Sequence, residues 1–159
     1  MTQARSWDTV VIGGGLLGWS TAYRLLRAGM RVMVIDRADP GQATAAGAGI
    51  ISPGTSFRPL PAFFALARAA TADYPVLLQE LAEDGETDTG YEVCGQLVIA
   101  RDESEAAQLP EVMRLLEERR EQGIGNIGQV ALLDGASARQ LFPPLANLPG
   151  AVHVAEAAR

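Results

Sequence analysis

Four glycines and one carboxylate carry the most specific chemistry in this chain. Gly13-Gly14-Gly15-Leu16-Leu17-Gly18 has the spacing G-x-G-x-x-G, and Asp36 stands 23 positions after Gly13. In such a motif the first glycine permits a sharp turn out of a strand. The second, here Gly15, removes a side chain where a pyrophosphate approaches the backbone, and Gly18 lets the following helix lie close to a sheet. The N-terminus of that helix offers free N–H groups and partial positive charge to phosphate oxygens. A carboxylate placed like Asp36 accepts hydrogen bonds from an adenosine ribose. The spacing alone is weak evidence, and it becomes strong when a strand precedes it, a helix follows, and a second strand ends in the acid.

Those elements are legible. Thr9–Ile12 is a β-branched, apolar run that reads as a buried parallel strand with both faces covered. Residues 16–28 turn helical, with Gly18, Ala22, Leu25 and Gly29 on one side and Gly29 placed to end the helix. Residues 31–36 alternate into a second strand. Strand, glycine turn, helix and strand in this order form a βαβ unit, so the expected class is α/β and Rossmann-type. That unit serves NAD and FAD alike. Arg37 beside the acid could signal a 2′-phosphate, but Asp36 would repel one, which leaves Arg37 as a solvated neighbour or a cofactor-loop contact.

After Asp36 the composition changes. Residues 38–55 are rich in Gly, Ala, Ser and Pro, as in backbone laid against a ligand or between domains. Leu60, Phe63, Phe64, Ala67, Ala70, Tyr74, Leu77, Leu78 and Leu81 recur at helical spacing, and Pro75 should kink or split that helix. Strand-like residues flank Gly95. A second amphipathic helix places Leu109, Val112, Met113 and Leu116 on one face. Residues 123–128 form a glycine-rich turn, and 130–133 and 151–154 read as short strands. Asp134 or Ser137 is positioned to cap a brief helix ending before Pro143.

Several chemistries are excluded by what is missing. All 13 basic residues are arginine, so no Schiff base can form on a lysine of this chain. His153 and Cys94 are the only residues of their types, too few for a usual His/Cys metal centre or an internal disulfide. Cys94 reads as buried in an apolar strand and inert, and His153 as structural. Asp84, Glu86 and Asp88 imitate the start of a calcium loop, but Thr89 and Gly95 occupy the positions of the required glycine and glutamate, so a solvated acidic turn is expected. The net charge of −6 argues against nucleic acid as a partner. No apolar run is long enough to span a bilayer. Asp8 interrupts the resemblance of the Arg5-to-Ala22 stretch to a signal peptide, so a cytoplasmic location is expected.

Residues 41–53, Gly-Gln-Ala-Thr-Ala-Ala-Gly-Ala-Gly-Ile-Ile-Ser-Pro, choose between the cofactors. With this segment the chain resembles the glycine oxidase/D-amino-acid oxidase-like family of FAD-dependent oxidoreductases. There a second-strand acid is followed by a small-residue stretch ending in Ala-Gly and an aliphatic residue. The resemblance implies that Ala43, Thr44, Ala48, Gly49 and Ile50 lie along the flavin and its ribityl-phosphate chain. It makes Leu16, Leu17, Asp36 and Arg37 the earlier FAD contacts. Thr44 or Ala45 stands where the family usually carries a serine.

Later landmarks look similar to the family's substrate domain: Tyr74-Pro75, Gly90-Tyr91 through Gly95-Gln-Leu-Val-Ile, and Leu133-Asp134 through Leu141-Phe-Pro143. The implied organisation is the N-terminal part of an FAD-binding domain over residues 1–55, and part of an α+β substrate domain over 56–159. The implied activity is oxidation of an amino acid or secondary amine. The flavin takes a hydride from the carbon bearing the amine, and the imine hydrolyses. No side chain of this chain is assigned a catalytic role, and the family's arginine and tyrosine clamp for the substrate carboxylate is expected beyond Arg159. Glycine, D-amino acids, sarcosine-like amines and opines are not distinguished, and oligomerisation with itself or another chain stays open. The alternatives are an NAD(P)-dependent dehydrogenase and a non-catalytic, truncated flavin-binding fragment. The 159 residues alone are expected to bind flavin weakly and not to turn over substrate.

Overall fold

A computed structural model describes residues 6–56 and 61–159; Arg5 and Leu60 lie outside the described residues. The chain forms two compact units, Met1–Ala48 and Gly49–Arg159.

In the first unit β1 (Thr9–Ile12), α1 (Leu16–Arg27) and β2 (Val32–Ile35) make the expected βαβ unit. The strands are parallel, with Thr9 opposite Val32 and Ile12 opposite Ile35. Gly29 ends α1 as anticipated, at φ +81°. Met30 N–H reaches back to Leu25 O at 3.1 Å and Gly29 N–H to Leu26 O at 2.9 Å, which satisfies two carbonyls of the last turn. Asp8 ties the strand starts together. Its carboxylate accepts the Arg31 backbone N–H at 2.9 Å and guanidinium bonds at 2.8 and 3.1 Å. These bonds hold its pKa at about 2.

One expectation fails here. The strands are not covered on both faces: Ala22 of α1 is 1% exposed, whereas Ile12 is 87% exposed. Among the described residues the sheet has two strands, with α1 packed against it and Ile12 left uncovered.

The second unit is α+β. Strands β3 (Gln96–Ala100), β4 (Val130–Asp134) and β5 (Gly150–Val154) form an antiparallel sheet in the order β3-β5-β4. Val98 pairs with Val152, and Val130 with Val154. Onto this face packs α4 (Leu109–Glu121), whose Leu109 and Leu116 join Ala100, Val130, Val152 and Val154 in the core. The four-residue helix α3 (Glu103–Ala106) was not foreseen. Its N-cap Asp102 accepts Glu105 N–H at 2.9 Å. Asp134, rather than Ser137, caps α5 (Gly135–Leu141), accepting Ser137 N–H at 2.7 Å.

Helix α2 (Pro61–Glu83) runs through Pro75 without splitting. The proline deletes a single helical donor, the one aimed at the Thr71 carbonyl, and the turns on either side remain. Cys94 also departs from expectation: it is exposed and precedes β3 rather than lying inside a strand. Its backbone N–H donates to Ala157 O at 3.1 Å. Among the described residues no helix is long and apolar enough to cross a membrane, and no His/Cys/Asp/Glu group is placed to hold a metal ion.

Candidate functional site

The glycine turn is built by a sheet bond, a left-handed residue and a close approach. Gly13 N–H donates to Ile35 O at 2.8 Å, extending the ladder by one residue past β1. Gly13 then turns at φ +107°, a conformation that L side chains resist. A Cβ at Gly18 would lie 1.8 Å from the Gly13 carbonyl oxygen and 3.6 Å from Val11, so the start of α1 is pressed onto β1. This is the role its place in the motif suggests.

Helix α1 begins with no side-chain cap from Gly15. Trp19 N–H donates to Gly15 O at 2.9 Å at the start of the helix, so the N–H groups of Leu16, Leu17 and Gly18 have no acceptor four residues back in the helix. Leu16 N–H donates to Thr44 Oγ1 at 2.9 Å. A side chain at Gly15 would meet that hydroxyl at 3.0 Å. Thr44 thus brings a hydroxyl to this turn.

Asp36 sits just past β2 as a braced anion. Its Oδ2 accepts Gly14 N–H at 2.5 Å, and its Oδ1 accepts Ala38 N–H at 2.6 Å and Gln42 Nε2 at 3.2 Å. The Gly14 bond, then the Ala38 bond, hold its pKa below the ordinary carboxylate value. Ala38 itself adopts φ +54°, where an L residue is strained by about 1–2 kcal/mol, and donation to Asp36 offsets this. A carboxylate has about four acceptor sites, so Asp36 keeps capacity for a ligand hydroxyl.

Two clefts meet at this carboxylate. One, of about 530 Å³, is lined by the glycine turn, Leu16, Leu17, Ala43 and Thr44. The other, of about 480 Å³, is lined by Ile35, Arg37, Asp39, Pro40 and Gly41. Ile12, Gly13, Asp36 and Gln42 border both. Arg37 is paired with Asp39 at 2.8 Å, with both side chains exposed. Gln42 was not singled out from the sequence; the only signal was an amide within an otherwise small-residue stretch.

The structure thus gathers Gly13, Gly14, Gly15, Leu16, Leu17, Gly18, Asp36, Arg37, Ala43 and Thr44 around one pair of clefts. Ala48 closes the first unit, and Gly49, at φ +69°, and the exposed Ile50 open the second.

The family model described as FAD dependent oxidoreductase, DAO, matches residues 8–159. The chain belongs to that family. It is 41% identical over 150 residues to an uncharacterised oxidoreductase of Bacillus subtilis, YurR, covering 94% of this chain and 39% of that protein. The structure of iminodiacetate oxidase from Chelativorans sp. BNC1 superposes with a TM-score of 0.86 at 36% identity, over 96% of this chain and 40% of that one. Glycine oxidase from Bacillus cereus superposes with a TM-score of 0.77 at 29% identity, over 97% of this chain and 41% of that one. The DAO-family chain therefore spans about two fifths of the length of these relatives. The expected α/β class and the family's FAD cofactor both stand.

The residues present fit such a cofactor. A helix N-terminus whose Leu17 and Gly18 N–H groups have no partner among the described residues suits a pyrophosphate, and an anionic Asp36 with spare acceptor capacity suits a ribose.

Proposed function

We propose that this chain is the cofactor-holding part of an FAD-dependent oxidase or dehydrogenase acting on an amino acid or secondary amine. The observation that carries the reading is the glycine turn joined to the braced Asp36 across two adjoining clefts. Leu17 and Gly18 N–H take the pyrophosphate, Asp36 takes the adenosine ribose, and Thr44 fixes the small-residue loop against the helix start. Leu16, Arg37, Ala43, Ala48, Gly49 and Ile50 complete the contacts, with Ala48 to Ile50 nearest the flavin. At the level of domains, residues 1–55 belong to the FAD-binding domain and 56–159 to part of the substrate domain.

Bound FAD supplies the acceptor for a hydride from the carbon that bears the amine. The work of this chain's own residues is to bind and orient, and none is assigned to proton transfer. The substrate class is supported by relatives named for glycine and for iminodiacetate, both amines that carry a carboxylate. The secondary amine is favoured, because the iminodiacetate oxidase structure has the higher identity and TM-score of the two structures compared.

The test is the absorption spectrum of the purified protein, followed by turnover assays with glycine, D-alanine, sarcosine and iminodiacetate. The 159 residues are assayed beside a longer chain extended to the length of the relatives. Flavin absorption and turnover in the longer chain alone are expected. Tight NADH binding with no flavin would sink the proposal, and robust turnover by the 159 residues would overturn the division of labour.

A further inference from the structure

Gln42 borders both clefts of the first unit, and among the described residues its side chain is the only one that hydrogen-bonds Asp36. The residue is half-buried, and its Nε2 donates to Asp36 Oδ1 at 3.2 Å. An ionised carboxylate only accepts, so the amide nitrogen must face Asp36, which fixes the way the amide points. The amide oxygen, Oε1, is left without a partner among the described residues.

The loop that carries Gln42 is anchored on two sides. Gly41 turns the chain into it at φ +83°. Within the loop Ala46 N–H donates to Gln42 O at 3.2 Å, and Gly47 N–H donates to Thr44 O at 3.2 Å. Thr44, two positions on, accepts Leu16 N–H at 2.9 Å. One short segment thus reaches the strand-end acid through Gln42 and the start of α1 through Thr44. The place of Gln42 beside Asp36 is set before any ligand arrives.

The supply of acceptors gives the free amide oxygen a purpose. A carboxylate offers about four acceptor positions. Gly14 N–H, Ala38 N–H and the Gln42 amide already bond to Asp36, which leaves about one position open. An adenosine ribose presents a pair of neighbouring hydroxyls, each a donor. Asp36 has room for one of them. The other needs an acceptor close by, because a hydroxyl taken out of water without a partner carries its whole desolvation penalty. Gln42 Oε1 is an unpaired acceptor on the side chain that touches Asp36.

We propose that Gln42 is a second ribose-binding residue, its Oε1 accepting one hydroxyl of the adenosine diol while Asp36 accepts the other. The inference rests on the FAD reading above, and every group it uses lies in the first unit. The amide bridges the site: its nitrogen steadies the carboxylate and its oxygen meets the sugar. A pair of acceptors turned toward the diol selects an unmodified ribose over a deoxyribose.

The experiment titrates FAD into the apoprotein of the longer chain, then displaces it with ADP, 2′-deoxy-ADP and 3′-deoxy-ADP. In the parent each deoxynucleotide should compete about 3- to 10-fold more weakly than ADP, the loss of one hydrogen bond. Gln42→Leu should bind FAD about 3- to 10-fold more weakly. It should also erase the penalty for one deoxynucleotide while the other penalty persists. Its melting, followed by tryptophan fluorescence, should match that of the parent. Equal competition by all three nucleotides in the parent would overturn the proposal without recourse to any variant. Failure of ADP to displace bound FAD would overturn it too, by removing the adenosine from these clefts. Both penalties intact in Gln42→Leu would assign the whole diol to Asp36, and both lost would leave Gln42 only the task of holding Asp36; either result overturns it. If the parent binds no FAD, the failure belongs to the reading on which this one rests.

Discussion

The two units answer the problem of burial in opposite ways. In the first, polar order is high and apolar burial low: Asp36, Gly14, Thr44 and Leu16 are joined by hydrogen bonds, while Ile12, Leu16 and Leu17 face outward. The second has a core of its own, in which Leu116, Ile127, Val152 and Val154 are fully buried. Its polar bonds fasten loops onto that core. A site that must accept a cofactor keeps donors and apolar edges uncovered, whereas a supporting unit spends its apolar residues on itself. On the proposed reading, the first unit carries most of the cofactor recognition and the second lends rigidity.

The strongest test of that contrast uses two matched glycines. A side chain at Gly18 would lie 1.8 Å from a backbone oxygen of Gly13, and one at Gly135 would lie 1.9 Å from that of Leu148. Gly18→Val and Gly135→Val should each destabilise their own unit by about 3 kcal/mol or more. Both tryptophans, Trp7 and Trp19, belong to the first unit, so their fluorescence reports it selectively. Gly18→Val should change that signal, while Gly135→Val should instead lose amide-exchange protection in β5. If either variant unfolds both units together, they do not act independently.

Core truncation sharpens the same point. Leu116→Ala should cost about 2–5 kcal/mol by denaturant titration. Ile12→Ala, at a residue 87% exposed, should stay within about 0.5 kcal/mol. Equal costs at the two sites would mean that the first unit has a hidden core.

Recognition is probed next. Asp36→Ala should weaken FAD binding by about 1–3 kcal/mol, as expected for losing a charged acceptor, and leave β5 exchange unchanged. Ala48→Phe should disturb the flavin spectrum with less effect on affinity. An unchanged spectrum and dissociation constant would remove that loop from the flavin's surroundings.

The smallest effect is in acid. Asp8, held near 2 by Arg31, has a folded pKa below its ordinary 3.8. A depressed carboxyl stabilises the folded state above its unfolded pKa, and that contribution is lost as pH falls through the folded value. The tryptophan signal should therefore begin to change between about pH 4 and pH 2, and Asp8→Asn should flatten that part of the titration. A titration identical to the parent's would show that the Asp8–Arg31 pair contributes little to the first unit.

Much of the first unit was legible because its geometry is local. The Gly13–Gly18 spacing, the Gly29 stop and the placement of Asp36 depend on residues within one strand–helix–strand passage. The α4 face was readable for the same reason, and so was a cap on α5, with Asp134 one of two candidates beside Ser137. What escaped depends on partners far apart in sequence. Thr44 meets Leu16 across 28 positions, and Arg119 meets Gly54 across 65. Neither a hydrophobic period nor a cap preference encodes such distances. Arg119 in particular was not singled out from the sequence, and in the fold two carbonyls and an aromatic ring lie against it. Cys94 was misplaced because its apolar neighbours suggested a strand, whereas Gly95, at φ +74°, separates it from β3.

The parallel pair β1–β2 has a consequence for handling the protein in solution. Among the described residues each strand has one neighbour, so each shows a row of backbone donors and acceptors without a strand partner on its other side, and Val10, Ile12 and Ile35 stand beside them with apolar surface. Such edges template association between molecules. Turbidity of the 159-residue chain should consequently grow faster than linearly with protein concentration. A charged residue introduced at Ile12 should delay its onset without altering the melting of the β3-β5-β4 sheet.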